Sequence, residues 1–297
     1  MMLRTIISTT RPTFLLLTPA VLALAYAISY WQQGFIDVTL SVLIFIAALS
    51  AHISVNTFNE YHDFRSGLDM TTIRTPFSGG SGGLPKNPSA ATLVLFVAWI
   101  TLTITIIIGL YFISVYGLTL LPLGLLGSIL IISYTGWITK KPWLCMLTPG
   151  LAFGPIFIVG SDFVLTGSYS VTALIASLPI FFLVNNLLLL NQFPDEQADQ
   201  QVGRNHIVIQ YGKKFSSQLL IVFYILAYLT LILAVVLKVL PAEALLGLLS
   251  IVFAIKSSHI LLTNHQNIAG LLLAMALNVA VTLLTPLLIA LGIVLSI

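Results

Sequence analysis

NEYHDFRSGLD, residues Asn59 to Asp69, and NQFPDEQAD, residues Asn191 to Asp199, are two short acidic segments that each follow a long apolar run. Together they hold most of the acidic residues of a 297-residue chain that has only 9 Asp and Glu. Like charges at close spacing repel, and carboxylates are costly near hydrocarbon, so the clustering indicates a bound cation. The two segments therefore predict a metal-binding active site at a membrane surface.

The rest of the composition is that of an integral membrane protein. Hydrophobic residues make up 58% of the chain and charged residues 7%, whereas a soluble domain carries roughly 25% charged residues. The net charge of +3 is too small to indicate nucleic-acid binding. We therefore expect a single transmembrane domain over residues 1–297, surrounded by membrane lipid, with no nucleic acid and no obligatory protein partner.

Apolar runs long enough to cross a hydrocarbon core of about 30 Å recur along the chain and predict nine transmembrane helices. This is an all-α fold around a central cavity. The two acidic segments end the second and the sixth helix, which indicates two four-helix pseudo-repeats followed by a ninth helix. The predicted spans are 12–31, 38–58, 89–115, 118–138, 143–164, 171–193, 216–240, 243–262 and 269–297.

The basic residues give this layout an orientation. All Lys and Arg residues except Lys238 fall on the side of the N-terminus, which the positive-inside rule makes cytoplasmic. We expect a multi-pass protein of a bacterial inner membrane. Its N-terminus and the acidic motif loops, 59–88 and 191–215, are then cytoplasmic, and its C-terminus is outside.

The spacing within each acidic segment places its polar side chains together. Asn59 and Asp63 are four residues apart and share one helix face, and Gly67 permits a turn that returns Asp69 toward them. In the second segment the stripe at intervals of four consists of Asn191, Asp195 and Asp199. Oxygen ligands without His or Cys favour a hard ion, and Mg²⁺ is usually shared between a few carboxylates and substrate phosphates. Two opposed acidic walls therefore predict a diphosphate that carries Mg²⁺.

Other residues near the two segments are candidates for binding the substrates. Cations on the same side can neutralise the charge of a leaving diphosphate; those that we expect to do so are Arg65, Arg74, Lys140 and Arg204. Asn56 lies on the same helix stripe as Asn59. Tyr134 is a candidate for orienting an aromatic acceptor or for stabilising a carbocation through its ring face.

The paired acidic motifs on the second and sixth of nine helices resemble those of the UbiA superfamily of intramembrane prenyltransferases. Arg11-Pro12 before the first helix is similar to that family's opening. The resemblance implies a Mg²⁺-dependent transfer of a polyprenyl group from its diphosphate to an aromatic acceptor. It also implies that Asn59 and Asn191 assist the catalytic, metal-binding carboxylates, which are Asp63, Asp69, Asp195 and Asp199.

The spacing of the first motif is similar to that of the branch that prenylates 1,4-dihydroxy-2-naphthoate for menaquinone. Asp63 and Asp69 are separated by five residues, and Gly150 to Ser168 is also similar to a stretch of that branch. The family's basic-Arg-Thr-Leu element is replaced here by Arg204 to Ile207. The alternatives are a relative with 4-hydroxybenzoate, haem or a glycerol phosphate as acceptor, and, from another class, a cation transporter.

Overall fold

The computed structural model describes residues 2–264 and 267–297, and every regular element within those ranges is helical. Short 3-10 helices lie at Pro88–Ala90, Leu118–Leu120, Ile138–Lys140 and Ala242–Ser250, and a π-helical turn spans Ala152–Ile156. The α-helices are α1 (Met2–Thr9), α2 (Pro12–Leu15), α3 (Leu17–Gln33), α4 (Val38–Ser66), α5 (Leu68–Thr71), α6 (Gly83–Lys86), α7 (Ala91–Tyr116), α8 (Leu121–Ser133), α9 (Pro142–Leu151), α10 (Phe157–Thr166), α11 (Val171–Gln201), α12 (Ile207–Val236), α13 (Ile251–Asn264) and α14 (Ile268–Leu295).

Eight helical segments of the described chain are long and apolar enough to cross a membrane. The predicted fourth span, 118–138, corresponds to a shorter apolar helix, Leu118–Ser133. The fold is therefore all-helical with many spans, and a count of nine crossings in two four-helix units remains a prediction. The eight segments are Pro12–Gln33, Val38–Ser66, Pro88–Tyr116, Pro142–Thr166, Val171–Gln201, Ile207–Val236, Ala242–Asn264 and Ala269–Leu295.

The helices that carry the acidic motifs extend beyond the apolar runs. Helix α4 begins at the N-cap Asp37, whose side chain accepts a hydrogen bond from the backbone N–H of Leu40 at 2.9 Å. It continues to Ser66 and ends where Gly67 adopts φ 81°, a left-handed conformation that glycine tolerates. Helix α11 continues to Gln201. The segments predicted as motif loops, 59–88 and 191–215, thus begin as helix, because their polar faces continue the helical stripe.

Helix α11 lies at the centre of the structure, packed against α9, α12 and α14. Its buried Asn186 donates to the backbone oxygen of Leu220 at 2.9 Å, and Asn278 donates to the backbone oxygen of Asn186 at 3.0 Å. Tyr224 in turn donates to the side chain of Asn278 at 2.6 Å. Because buried polar groups are costly unless they are paired, these bonds fix the relative positions of α11, α12 and α14.

A π-helical turn separates α9 from α10. Pro155 within this turn has no backbone N–H, so the regular helical hydrogen bond cannot form there and the turn widens. The widened turn contributes Ala152, Phe153 and Ile156 to the wall of a cavity that residues of α4 and α11 also line.

Candidate active site

A cavity of about 360 Å³ lies between α4 and α11 and is open to both acidic motifs. Its deeper wall is apolar, with Leu17, Leu123, Phe153 and Phe157 among its lining residues. Most of the predicted site residues converge at its polar end. Those that line it are Asn56, Asn59, Asp63, Asp69, Tyr134, Asn191, Asp195, Asp199 and Arg204.

Arg204 joins the two acidic motifs. Its guanidinium donates to Asp199 Oδ1 at 2.8 Å and contacts Asp63 Oδ1 and, at 3.4 Å, Asn59 Oδ1. The Arg204 side chain is only 15% exposed, and the Asp63 and Asp199 carboxylates less so. A buried cation between two carboxylates offsets their mutual repulsion, so Arg204 stabilises the approach of α4 to α11.

Asp69 and Asp195 are held by the glycine-rich segment that follows α5. The backbone N–H of Gly79 donates to Asp195 Oδ2 at 3.2 Å. Arg74 donates through Nη2 to the backbone oxygen of Asp69. Gly80 has φ 72°, and a Cβ there would lie 2.8 Å from Asp69 Oδ1, so only glycine fits beside this carboxylate. The segment therefore links the first motif to the second.

Several oxygen atoms at the polar end are buried and have no hydrogen-bond partner among the described residues. They are Asp69 Oδ2, Asp195 Oδ1 and Asn191 Oδ1. Burial, with the nearby charges of Glu60 and Asp63, raises the pKa of Asp69 to about 7. Carboxylate and amide oxygens are ligands that Mg²⁺ prefers, so this donor set fits a magnesium ion shared with a bound phosphate.

These donors do not form a closed metal cage. Within the described ranges no three His, Cys, Asp or Glu side chains are grouped closely enough to hold a metal ion by themselves. A divalent cation at this end would therefore need ligands from outside the chain as well, such as phosphate oxygens.

Three of the predicted basic residues do not line the cavity. Arg65 is exposed because it follows Asp63 by two residues, which turns it to the other side of α4. Lys140 is also exposed, and the adjacent Thr139 is the residue of that turn that lines the cavity. Arg74 lies over Gly82 and bonds the backbone of Asp69. Of the four predicted cations, only Arg204 lines the cavity.

Arg11 is a cavity residue that the sequence reasoning did not assign to the site. Its guanidinium binds Glu60 Oε1 at 2.7 Å, through both Nε and Nη2. Glu60 is fully buried and also accepts from the backbone N–H and the hydroxyl of Ser81. Glu60 is therefore a structural carboxylate, although it lies within the first acidic motif. The available signals were the position of Arg11 immediately before the first apolar run and the resemblance of Arg11-Pro12 to the family's opening.

Smaller contacts complete the polar end. His206 Nε2 lies 3.1 Å from Asp199 Oδ2, and Thr135 donates to Asn59 Oδ1 at 3.1 Å. Asn56 donates to the backbone oxygen of Thr10 at 3.0 Å, so it anchors the N-terminal arm while it lines the cavity. The remaining motif acid, Glu196, is paired with Lys213 outside the cavity, at 3.1 Å.

Comparison with known proteins shows which family has this sequence and this fold. The sequence model of the UbiA prenyltransferase family matches residues 16–269. The chain is 29% identical over 218 residues to the 1,4-dihydroxy-2-naphthoate octaprenyltransferase of Bacillus subtilis, an alignment that covers 71% of this chain and 66% of that protein. It is 30% identical over 219 residues to the human UbiA prenyltransferase domain-containing protein 1, covering 72% of this chain and 62% of that one. The chain thus spans less than two thirds of the length of these relatives.

Two solved structures share the fold. A UbiA homologue from Archaeoglobus fulgidus, bound to DMAPP and Mg²⁺, superposes with a TM-score of 0.65 at 12% identity, covering 96% of this chain and 99% of that one. A UbiA homologue from Aeropyrum pernix K1 superposes with a TM-score of 0.61 at 14% identity, covering 94% and 97%.

Proposed function

The chain belongs to the UbiA prenyltransferase family, and from that membership we propose that it transfers a polyprenyl group from polyprenyl diphosphate to an aromatic acceptor. The observation that carries the proposal is the meeting of two aspartate-bearing helices across one cavity, with unpartnered oxygens on Asp69 and Asp195. A bound cation would supply the positive counter-charge for those carboxylate oxygens, and a diphosphate would supply further oxygen ligands to the cation.

We propose that Mg²⁺ is the cation and that Asp63, Asp69, Asp195 and Asp199 hold it together with oxygens of the diphosphate, with Asn59 and Asn191 as neighbouring donors. Bound Mg²⁺ would neutralise the diphosphate and make it a better leaving group. The unpartnered oxygens at this end support the assignment. So does the Archaeoglobus homologue, which was solved with DMAPP and Mg²⁺.

The fixed groups of the chain would bind and shelter the reacting atoms. Arg204 and Arg11 supply positive charge beside the diphosphate. The bond between the prenyl carbon and the diphosphate oxygen breaks, and the electron pair leaves with the diphosphate. The apolar wall keeps water from the resulting allylic cation, which the ring face of Tyr134 stabilises.

We propose 1,4-dihydroxy-2-naphthoate as the acceptor, which would place the enzyme in menaquinone biosynthesis. A ring carbon forms the new bond to the prenyl group, and the carboxylate leaves that carbon as CO₂, so that the ring regains its aromatic electrons. The interval of five residues between Asp63 and Asp69 supports this acceptor. The name of the Bacillus subtilis relative supports it as well.

The finer topology belongs to the same proposal. We propose that the short helix Leu118–Ser133 completes nine crossings in two four-helix units plus a ninth helix, in a bacterial inner membrane. Arg65, Arg74 and Lys140 would then lie in cytoplasmic loops, where they attract the diphosphate or set the orientation.

The proposal is tested with purified protein, Mg²⁺, labelled geranylgeranyl diphosphate and a panel of acceptors. We expect a prenylated naphthoate product with release of CO₂, and little turnover of 4-hydroxybenzoate. A higher kcat/KM for 4-hydroxybenzoate would contradict the choice of acceptor while leaving prenyl transfer intact. Absence of transfer to every acceptor would contradict the function itself.

A further inference from the structure

Gln192 is a buried polar residue in the wall of the cavity for which the proposed mechanism has no role. Its side chain is 6% exposed and lines the cavity. Its amide nitrogen donates to Cys145 Sγ at 3.4 Å. Its amide oxygen, Oε1, is buried and has no partner among the described residues. A buried amide oxygen without a partner is costly, so it calls for either a hydrogen-bond donor or a cation.

Gln192 lies on α11 between the charged end of the cavity and its apolar wall. Asp195 follows it by three residues, so the two share one face of the helix toward the charged end. Leu188 precedes it by four residues and lines the apolar wall. A ligand group beside Gln192 therefore lies where the diphosphate ends and the hydrocarbon begins, which is where the new bond would form.

The surroundings of Gln192 fix the orientation of its amide. Cys145 is 2% exposed and also lines the cavity. Tyr134 interacts with the same thiol and forms the next part of the wall. With its nitrogen engaged at Cys145, the amide presents its free oxygen to whatever occupies this part of the cavity.

The chemistry of the reaction components indicates which of them the Gln192 oxygen binds. We place Mg²⁺ with the carboxylates at the charged end of the cavity. A diphosphate carries only acceptor oxygens, which an amide oxygen repels, and a polyprenyl chain has no polar hydrogen. A phenolic acceptor has an O–H group that donates. We propose that Gln192, with Cys145 and Tyr134, forms a hydroxyl-binding subsite for the acceptor, so that the acceptor is a hydroxylated aromatic and not one that reacts through a vinyl group. This inference rests on the proposed function.

The test compares the wild-type protein with Gln192→Met, which keeps the length of the side chain but has no strong acceptor, and with Gln192→Glu, which keeps an acceptor oxygen. The matched control is Gln197→Met on the same helix, because Gln197 is exposed. Each full-length protein is assayed with geranylgeranyl diphosphate, Mg²⁺ and 1,4-dihydroxy-2-naphthoate, and the KM of each substrate is measured separately.

We expect Gln192→Met to raise the KM of the naphthoate by about tenfold, the effect of one hydrogen bond to a hydroxyl left unpaired. The KM of geranylgeranyl diphosphate should stay unchanged. Gln192→Glu should recover part of the naphthoate affinity, and Gln197→Met should behave as the wild type. An increase in the KM of the diphosphate alone would overturn the inference, because the amide would then serve the metal site.

A second measurement does not depend on the stability of a variant. 1,4-Dimethoxy-2-naphthoate has no hydroxyl to donate, and it should inhibit the wild type with an affinity about tenfold weaker than that of the dihydroxy compound. In Gln192→Met this preference should disappear. Equal binding of the two compounds to the wild type would overturn the inference. If the wild type transfers no prenyl group to any acceptor, the proposed function itself is contradicted.

Discussion

Asp63 of α4 and Asp199 of α11 share one counter-ion, because the guanidinium of Arg204 contacts a carboxylate oxygen of each. The contact brings the two acidic motifs to the same point. It also means that the charge at the polar end is partly balanced by the chain itself. Any bound cation and diphosphate must then exchange some of these contacts.

Replacement of Arg204 should destabilise the protein more than loss of an exposed ion pair. Arg204→Ala leaves Asp63 and Asp199 buried without their shared guanidinium, so we expect the free energy of unfolding to fall by about 3 kcal/mol at neutral pH. Arg204→Lys keeps a positive charge, so its free energy of unfolding should fall by less. Thermal unfolding in detergent measures both. The control is Glu196→Gln, which removes the more exposed pair with Lys213. An equal effect of Arg204→Ala and Glu196→Gln would show that the Arg204 contacts add nothing.

Glu60 should hold the glycine-rich segment against the rest of the site. Glu60→Gln leaves the Arg11 guanidinium without its carboxylate and weakens the bonds to Ser81, so the segment should open more often. Arg74 is exposed within this segment. We therefore expect trypsin to cleave after Arg74 faster in Glu60→Gln than in the wild type. Unchanged cleavage would mean that other contacts close the segment.

Two glycines in helices should respond in opposite directions to alanine. A Cβ on Gly150 would lie 2.2 Å from the backbone oxygen of Phe181, so Gly150→Ala should destabilise the protein by about 1–3 kcal/mol. Gly109 has no neighbouring atom within 4 Å, so Gly109→Ala should be neutral or stabilising by up to about 1 kcal/mol. Unfolding midpoints measure both. A tolerated Gly150→Ala would contradict the close packing of α9 on α11.

The crossing count is tested by the location of the C-terminus. A reporter fused after Ile297 should lie outside the cytoplasm, because nine crossings lead out from a cytoplasmic N-terminus. A reporter after Lys140 should lie inside. If the reporter after Ile297 is cytoplasmic, the short helix Leu118–Ser133 does not cross and the count is eight.

The parts of this structure that hydropathy and periodicity determine could be predicted from the sequence. The long spans and the two stripes of Asn and Asp follow from local patterns, and the stripes do meet at one cavity. The end of the short helix before Tyr134 could not be predicted, because the turn at residues 134–137 falls inside the predicted span 118–138.

The roles of several site residues could not be predicted from the sequence, because they depend on contacts between residues that are distant along the chain. Glu60 lies in the first acidic motif, but Arg11, which precedes α2 in the chain, pairs with it and neutralises it. Arg65 lies within the first motif in sequence, but it is exposed on the side of α4 that faces away from the cavity. The unpartnered oxygen of Gln192 has no signature in the sequence, since it depends on the position of Cys145 in another helix.

The most direct test of the central claim is the Mg²⁺-dependent turnover of labelled geranylgeranyl diphosphate by the wild type, Asp63→Asn, Asp195→Asn and Glu196→Gln. Asp63 and Asp195 line the cavity on opposite helices, whereas Glu196 lies outside it. We expect both Asp→Asn changes to lower kcat/KM by about 100-fold or more, equivalent to ~2.7 kcal/mol, in protein that remains folded, and chelation of Mg²⁺ to abolish wild-type turnover. Glu196→Gln should retain wild-type activity. Equal losses in all three variants, or full activity without a divalent cation, would contradict a diphosphate–Mg²⁺ site between the two motifs.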